Sequence, residues 1–195
     1  VEYLEKAIRI DPNYQSAYSA LVNIYANIME TKFDRGIDFY EDFTRSDEVA
    51  AKLLLINPRN RSFLLNRTKQ RALYAEFLYD NGKDPTSVLE LGERDISNVE
   101  TSSTTDASVL HLKAVMLRIR AMYDYKRRVP NLVLIERGRN VAQSCVEKMP
   151  GLVGCMRELS LLYMIEWKWQ ILQGKSASSS FLESMEWIWK AISVN

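Results

Sequence analysis

The segment from Lys6 to Tyr25 introduces a pattern of hydrophobic and polar positions that the rest of the chain repeats. A first helix is expected to end before Pro12, because proline lacks an N–H donor and its ring clashes with the preceding turn. After that turn, apolar side chains recur along one face of a second helix, at Ala17, Tyr18, Leu21, Val22 and Tyr25. A single helix pair cannot bury so broad a face, so neighbouring pairs are expected to cover it.

Residues of the same type recur at a fixed spacing of 46 positions. Prolines lie 46 and then 92 residues apart, at Pro12, Pro58 and Pro150, and Thr104 takes the intervening position. Glycines keep the same spacing at Gly36, Gly82 and Gly174, with Arg128 in the corresponding position of the third unit. A small or apolar residue recurs at Ala7, Leu53, Val99, Cys145 and Ala191. Three independent sets with one period indicate a solenoid, in which each unit packs on its neighbours.

The predicted fold is all-α, a right-handed superhelical array of antiparallel helix pairs. The predicted units are a partial unit at 1–14 and full units at 15–60, 61–106, 107–152 and 153–195. Within the second full unit, Asn81-Gly82 ends one helix, and Asp84-Pro85 begins its partner with an N-cap carboxylate and a first-turn proline. The polar run 100–106 is predicted to be a loop.

The string LEKAIRIDPNYQSAYSALVNIY resembles the tetratricopeptide repeat (TPR), and WKAISVN near the end of the sequence stands in the matching position. That family has a period of about 34 residues, so longer helices or a larger turn within each pair must account for the excess here. A long repeat with the turn YDNGKDPTSVL is similar to the repeat regions that follow the kinase domain in some bacterial serine/threonine protein kinases. The resemblance implies a helical scaffold whose first helices line a concave groove.

Composition excludes several classes of protein. The formal net charge is +1, so no overall field directs the chain to nucleic acid or to an anionic membrane. No apolar run is long enough to span a bilayer, and no secretory signal begins the sequence. Because the sequence starts within a predicted helix, we expect a piece of a longer protein. We expect it to be cytoplasmic, or extracytoplasmic if a membrane segment precedes it.

The two cysteines, Cys145 and Cys155, flank the Pro150-Gly151 turn. A bridge between them is geometrically possible, but two cysteines give no disulfide framework. Buried free thiols are the favoured expectation, since a free cysteine behaves as a small apolar side chain.

No catalytic constellation is present in the sequence. A single histidine, His111, excludes a multi-histidine metal site. The phosphate-binding patterns GxGxxG and GxxxxGK[ST] are absent, as are the kinase motifs HRD, DFG and APE. The sequence therefore predicts a non-enzymatic protein with no cofactor and no metal.

The TPR resemblance implies which residues line the groove. The corresponding positions are Asn23, Asn27, Asn66, Lys69, His111, Arg118, Arg157 and Glu158. A mixture of amides and cations suits an extended acidic peptide or a chain terminus. The chaperone-binding subtype grips a carboxylate with cations, but Ser19, Ser108 and Leu112 stand where these cations belong. Binding of chaperone C-termini is therefore not predicted.

The stretch from Arg59 to Arg71 is the most basic part of the sequence. A solvated helix face is favoured over an anion site, with Arg67 and Arg71 extending their buried stems towards water. The leading hypothesis is a protein-interaction scaffold that binds a peptide or protein in its groove and can self-associate through exposed array ends. One alternative is a regulatory region of a bacterial serine/threonine kinase whose catalytic domain lies outside these residues. Nucleic-acid binding through the basic stretch is the least favoured alternative.

Overall fold

The computed structural model describes residues 1–100 and 106–194, and within them the chain is helical with no strand. The loop predicted at 100–106 therefore falls mostly outside the described residues. The helices in chain order are α1 (Glu2–Ile10), α2 (Gln15–Asp34), α3 (Tyr40–Ile56), α4 (Arg61–Asp80), α5 (Thr86–Glu100), α6 (Ala107–Lys126), α7 (Leu132–Lys148), α8 (Val153–Leu172) and α9 (Ser178–Val194).

The helix bounds recur every 46 residues. The helices α2, α4, α6 and α8, here called first helices, each contain 20 residues and begin 46 positions apart. The helices α3, α5, α7 and α9, here called second helices, also begin 46 positions apart, at 40, 86, 132 and 178. The end of α1 lies 46 positions before the end of α3. Residues separated by a multiple of 46 are called register-equivalent below.

The turn after each first helix has the same geometry in the four units. The residue at its centre has a positive φ, namely Gly36 (66°), Gly82 (72°), Arg128 (59°) and Gly174 (66°). The next N–H donates to a carbonyl five residues back, as Ile37 N does to Lys32 O at 2.9 Å. This bonding pattern requires a left-handed residue, which glycine adopts without strain. Arg128 adopts it as an L-residue, at a cost of about 1–2 kcal/mol.

Polar side chains fix several helix starts. Asn60 and Asp106 accept hydrogen bonds from the N–H groups of Phe63 and Val109, at 3.2 and 3.1 Å, at the starts of α4 and α6. At the start of α5, Asp84 Oδ1 accepts from Thr86 N at 2.8 Å. These bonds satisfy donors that the first turn of a helix leaves without a backbone partner.

Helices that follow one another along the chain pack together, and consecutive first helices also contact each other directly, as α2 does α4. Within the described residues, no helix contacts one more than two places away along the chain, and no two second helices touch. Each internal second helix therefore lies between the first helix of its own unit and that of the next unit.

A small residue stands at the point where each second helix packs against first helices. The register-equivalent residues are Ser46, Gly92, Gly138 and Ser184. Ser46 Oγ donates to Gln70 Oε1 on α4 at 2.7 Å. A Cβ on Gly92 would lie 2.8 Å from Met116 Sδ on α6, the residue register-equivalent to Gln70. Only a small side chain fits between the helices at this point.

Two expectations about side chains are corrected. Arg71 does not extend towards water: it is 5% exposed and donates to Asp47 and Asp95 at 2.8–3.0 Å. Arg67 donates to Asp95 as well. These carboxylates replace the water that the guanidinium groups lose on burial. The free-thiol expectation is also wrong, because Cys145 and Cys155 form a disulfide, with Cα atoms 5.8 Å apart across the turn.

Candidate functional site

Four of the predicted groove residues line a single concavity between α2 and α4. Asn23 and Asn27 come from consecutive turns of α2, and Asn66 and Lys69 come from α4. All four side chains are exposed. The concavity has a volume of about 370 Å³. A spacing of four residues places Asn23 and Asn27 on the same helix face, so both reach the same concavity.

Three exposed carboxamides in this concavity have no hydrogen-bond partner among the described residues. In the described residues, none of the side-chain amides of Asn23, Asn27 and Asn66 forms a hydrogen bond to protein. Each carboxamide offers two N–H donors and a carbonyl acceptor. A peptide backbone offers the complementary acceptor and donor at every non-proline residue. The three amides can therefore pair with an extended backbone without reading its side chains.

The charge of the concavity is balanced. Lys69 Nζ lies 2.7 Å from Glu30 Oε1, and both side chains are partly exposed, 67% for Lys69 and 45% for Glu30. An ion pair with this much exposure is screened and contributes at most about 1 kcal/mol. It nevertheless leaves the concavity without a net charge. The expectation of an acidic ligand therefore has no excess of cations to support it between α2 and α4.

The floor of the concavity is held by a buried polar residue. Gln70 is 4% exposed, accepts from Ser46 Oγ at 2.7 Å, and donates to the backbone carbonyl of Val22 at 3.1 Å. It thus joins α4 to both α2 and α3. Ala26 and Leu73, both half-buried, add apolar surface beside it. Because both ends of the Gln70 amide are satisfied, the spacing of α2 and α4 is fixed before any ligand binds.

Two of the predicted groove residues in the third and fourth units are internal. Arg118 on α6 is 2% exposed and Glu158 on α8 is 1% exposed. Arg118 Nε lies 2.5 Å from Glu158 Oε2, and its Nη2 lies 2.9 Å from Glu76 Oε1 on α4. This pair was predicted to face a ligand, but it links three consecutive first helices inside the protein.

The charges around Arg118 keep it protonated. Burial lowers the pKa of the guanidinium, but the charges of Glu158 and Glu76 outweigh burial and raise this pKa above its ordinary value. A buried charge of this kind needs its partners in place, since removing one leaves the other without compensation. Arg118 and Glu158 therefore serve helix packing and are not ligand contacts.

His111 and Arg157 do not line the concavity between α2 and α4. Arg157 is exposed on α8. His111 is half-buried on α6 and packs over Gly154. A Cβ added to Gly154 would lie 2.7 Å from Nε2 of His111. Burial lowers the pKa of His111, and the cations Arg157, Arg118 and Lys69 lower it further, while Glu158 opposes them. The imidazole is thereby favoured in its neutral form.

Sequence reasoning missed Glu30, Gln70, Ala26 and Leu73 as parts of this site. Gln70 carries a signal that could have identified it. It is register-equivalent to Ile24, Met116 and Leu162, so a polar residue stands where the other units have apolar ones. A polar residue in a core register needs a buried partner, and Ser46 is that partner.

The basic stretch from Arg59 to Arg71 is largely neutralised by carboxylates of the same chain. Arg61 pairs with Asp106, Arg67 with Asp95, Lys69 with Glu30, and Arg71 with Asp47 and Asp95. Arg59 is exposed. Four of its five cations thus pair within the chain, which leaves little free charge for phosphate groups.

Two other kinds of site can be checked in the part of the chain that the structure describes, a metal site and a membrane span. Within 1–100 and 106–194, no three His, Cys, Asp or Glu side chains are grouped so that they could hold a metal ion. None of the helices described has the length and apolar character needed to cross a membrane. No protein-family model, no curated protein and no solved structure matches the chain.

Proposed function

We propose that this chain is a TPR-like α-solenoid that acts as a non-catalytic scaffold, binding an extended peptide segment of a protein partner between α2 and α4. The observation that carries this proposal is the set of three carboxamides without partners, Asn23, Asn27 and Asn66, in one concavity of about 370 Å³. These amide groups, on two helices that contact each other, offer donors and acceptors complementary to those of a peptide backbone.

The arrangement of the helices supports the solenoid part of the proposal. First helices contact each other in chain order, and helix bounds recur every 46 residues. Stacked pairs of this kind present their first helices on one surface, which is the surface where recognition by a repeat protein takes place. Affinity would come from backbone hydrogen bonds, with Ala26 and Leu73 providing apolar contact for one side chain of the peptide.

The preferred peptide is expected to be neutral in the part that lies between α2 and α4. Lys69 is paired with Glu30, so an acidic ligand gains little from the lysine. Recognition through amides changes little with ionic strength, because screening acts on charges. Nucleic-acid binding is not part of the proposal, since it would require phosphate contacts from cations that are already paired in the chain.

The test is selection of peptides from a displayed random library on the immobilised chain, followed by affinity measurement for the selected peptides. Replacing Asn23, Asn27 and Asn66 together by alanine is expected to reduce affinity at least about tenfold, since each lost hydrogen bond contributes roughly 0.5–1.5 kcal/mol. The matched control replaces Asn140 and Lys52 by alanine, since both are exposed on second helices. Equal affinity of the groove variant and the control variant for every selected peptide would contradict the proposal.

A further inference from the structure

A cavity lies over α6, in the gap between α5 and α7, which are second helices that do not contact each other within the described residues. Its volume is about 250 Å³. Its floor is apolar, since Ile96, Met116 and Leu117 are 1%, 2% and 6% exposed. A pocket for a drug-sized molecule has a volume of about 300–1,000 Å³, so this cavity has room for a single large side chain.

The corresponding gap between α3 and α5 is filled by a side chain of the chain itself. Arg71, which is register-equivalent to Leu117, is 5% exposed and pairs with Asp47 on α3 and with Asp95 on α5. Over α6, Leu117 is shorter than this arginine, and Val141 stands where the second full unit has Asp95. The cavity therefore lies where the second full unit places a large side chain of its own.

In the fourth full unit, an aromatic ring stands at the corresponding position. Trp187 is register-equivalent to Val141, and it is half-buried. It packs against the core cluster that contains Leu162, which is register-equivalent to Met116 in the floor of the cavity. Lys190 Nζ lies 4.1 Å from the centroid of the Trp187 ring. This position of the repeat thus accepts a flat ring with a cation over it.

The rim of the cavity carries two carboxylates that are already paired and one cation that is not. Lys113 Nζ lies 2.6 Å from Glu100 Oε1, and Arg120 Nη1 lies 3.3 Å from Glu93 Oε1. Arg137 is exposed, and its guanidinium forms no ion pair or hydrogen bond among the described residues. The group that enters this cavity therefore meets an apolar floor and one available guanidinium.

These surroundings favour a neutral aromatic ring over a second guanidinium. A buried guanidinium needs carboxylates that compensate its charge, as Arg71 has in Asp47 and Asp95. Around the cavity the carboxylates are paired, and Arg137 would repel a cation. A ring gains from both ends of the cavity, because a guanidinium is attracted to the face of a ring and the sulfur of Met116 makes favourable contacts with aromatic groups.

From these relations we propose that the cavity between α5 and α7 binds an aromatic side chain of a protein partner, with the indole of tryptophan as the best fit. The ring lies on Ile96 and Met116, and Arg137 covers its outer face. The partner thus supplies from outside what Trp187 supplies within the fourth full unit. The site is independent of the peptide concavity, because no described residue lines both.

A single buried aromatic side chain is the kind of contact that anchors a protein interface. Such anchors are enriched in tryptophan and tyrosine, fill water-excluding pockets, and are surrounded by contacts that contribute little energy themselves. The apolar floor formed by Ile96, Met116 and Leu117 is the pocket in this arrangement, and the ion pairs on the rim are the surrounding contacts.

The test is titration of the chain with the N-acetyl amides of tryptophan, leucine and arginine, followed by the NMR signals of the methyl groups of Ile96, Met116 and Leu117. The tryptophan amide is expected to bind most tightly and to move these signals upfield along one saturating curve, because the methyl groups lie under the ring. Tightest binding of the arginine or leucine amide, or a tryptophan titration that leaves the three residues unchanged, would overturn the proposal.

Two variants test the cavity itself. Val141→Trp places an indole of the chain at the position of Trp187 and is expected to abolish binding of the tryptophan amide. Arg137→Ala removes the cation over the ring and is expected to weaken binding about two- to fivefold, the effect of one exposed cation–π contact. The matched control is Arg94→Ala, since Arg94 is exposed on α5 and does not line the cavity.

Circular dichroism checks that each variant stays helical, and Arg137→Ala decides the question if Val141→Trp does not fold. Wild-type affinity in a folded Val141→Trp protein, or equal losses in Arg137→Ala and Arg94→Ala, would overturn the proposal. The triple variant of Asn23, Asn27 and Asn66 is expected to bind the tryptophan amide as the wild type does. Failure of the cavity proposal can therefore be distinguished from failure of the groove proposal.

Discussion

Gly138 on α7 lies so close to Leu162 on α8 that a Cβ on the glycine would stand 2.9 Å from Leu162 Cδ2. At the register-equivalent positions, Gly92 lies equally close to Met116. Ser46 contacts Gln70 through a hydrogen bond. The packing between units therefore repeats with the same 46-residue period as the helix bounds, and its common element is a small residue on the second helix.

Alanine at Gly138 is expected to lower the free energy of unfolding by about 1 kcal/mol. Overpacking a core contact lowers the free energy of unfolding by roughly 1–3 kcal/mol. The higher helix propensity of alanine raises it by about 1 kcal/mol and so offsets part of this loss. Gly92→Ala is the matched variant and is expected to be near neutral, because the contacting Met116 sulfur stands on a flexible chain that can turn away. Urea unfolding of both variants measures the difference, and a Gly138→Ala protein more stable than the wild type would contradict this account of the packing.

Replacement of Arg128 by glycine is expected to raise the free energy of unfolding by about 1 kcal/mol. Arg128 has φ 59° at a position where the other three units have glycine. An L-residue loses roughly 1–2 kcal/mol in this conformation, part of which the greater flexibility of unfolded glycine cancels. Gly82→Ala, at the register-equivalent turn, should change stability in the opposite direction. Thermal unfolding of the two variants measures both stability changes. A change of the same sign in Arg128→Gly and Gly82→Ala would refute the common turn geometry.

Loss of Arg118 is expected to destabilise the chain strongly. Arg118→Leu leaves the buried carboxylate of Glu158 without its cation, which costs about 3–5 kcal/mol. The double variant Arg118→Leu/Glu158→Leu should lose less free energy of unfolding than Arg118→Leu alone, because it contains no unpaired carboxylate at position 158. Denaturant unfolding of the two single variants and the double variant gives the coupling energy. Strictly additive losses would show that the two side chains do not act as a pair.

Stability is expected to depend on pH through His111. Because the pKa of His111 is lowered on folding, the unfolded chain binds more protons between the folded pKa and the ordinary value of 6.5. The contribution of neutral His111 to the free energy of unfolding should therefore be fully present above pH 6.5. It should be lost as the pH falls from 6.5 through the lowered pKa of the folded chain. His111→Gln is expected to flatten this part of the profile, measured by urea unfolding at several pH values. An unchanged slope in the variant would assign the dependence to other groups.

Much of the helical architecture could be predicted from the sequence, because prolines and glycines recur between the helices at multiples of 46 residues. The helix end predicted at Asn81-Gly82 and the helix start predicted at Asp84-Pro85 agree with the end of α4 at Asp80 and the start of α5 at Thr86. The start of α9 at Ser178 is harder to predict from local sequence, because Ser178 and its neighbours have the composition of a loop. Comparison with the start of α3, 138 residues or three periods earlier, would have located it.

The burial of charged residues near the site was harder to predict, because a prediction from hydrophobic periodicity places every charged residue on the exposed face of its helix. Arg71 and Arg118 are buried only because carboxylates reach them from other helices, such as Asp47 on α3 and Glu158 on α8. No local pattern in the sequence indicates partners 24 or 40 residues away. The exposed amides Asn23, Asn27 and Asn66 could be assigned to one surface because positions on first helices depend on helix geometry, and this geometry repeats along the chain.

The most direct measurement is the side-chain amide NMR spectrum of the ¹⁵N-labelled chain during titration with a peptide selected on it. The carboxamide signals of Asn23, Asn27 and Asn66 are expected to shift together along one binding curve, while the signal of the exposed Asn140 on α7 is expected to stay unchanged. Saturable binding that shifts signals on the second helices and leaves these three carboxamides unchanged would contradict this expectation.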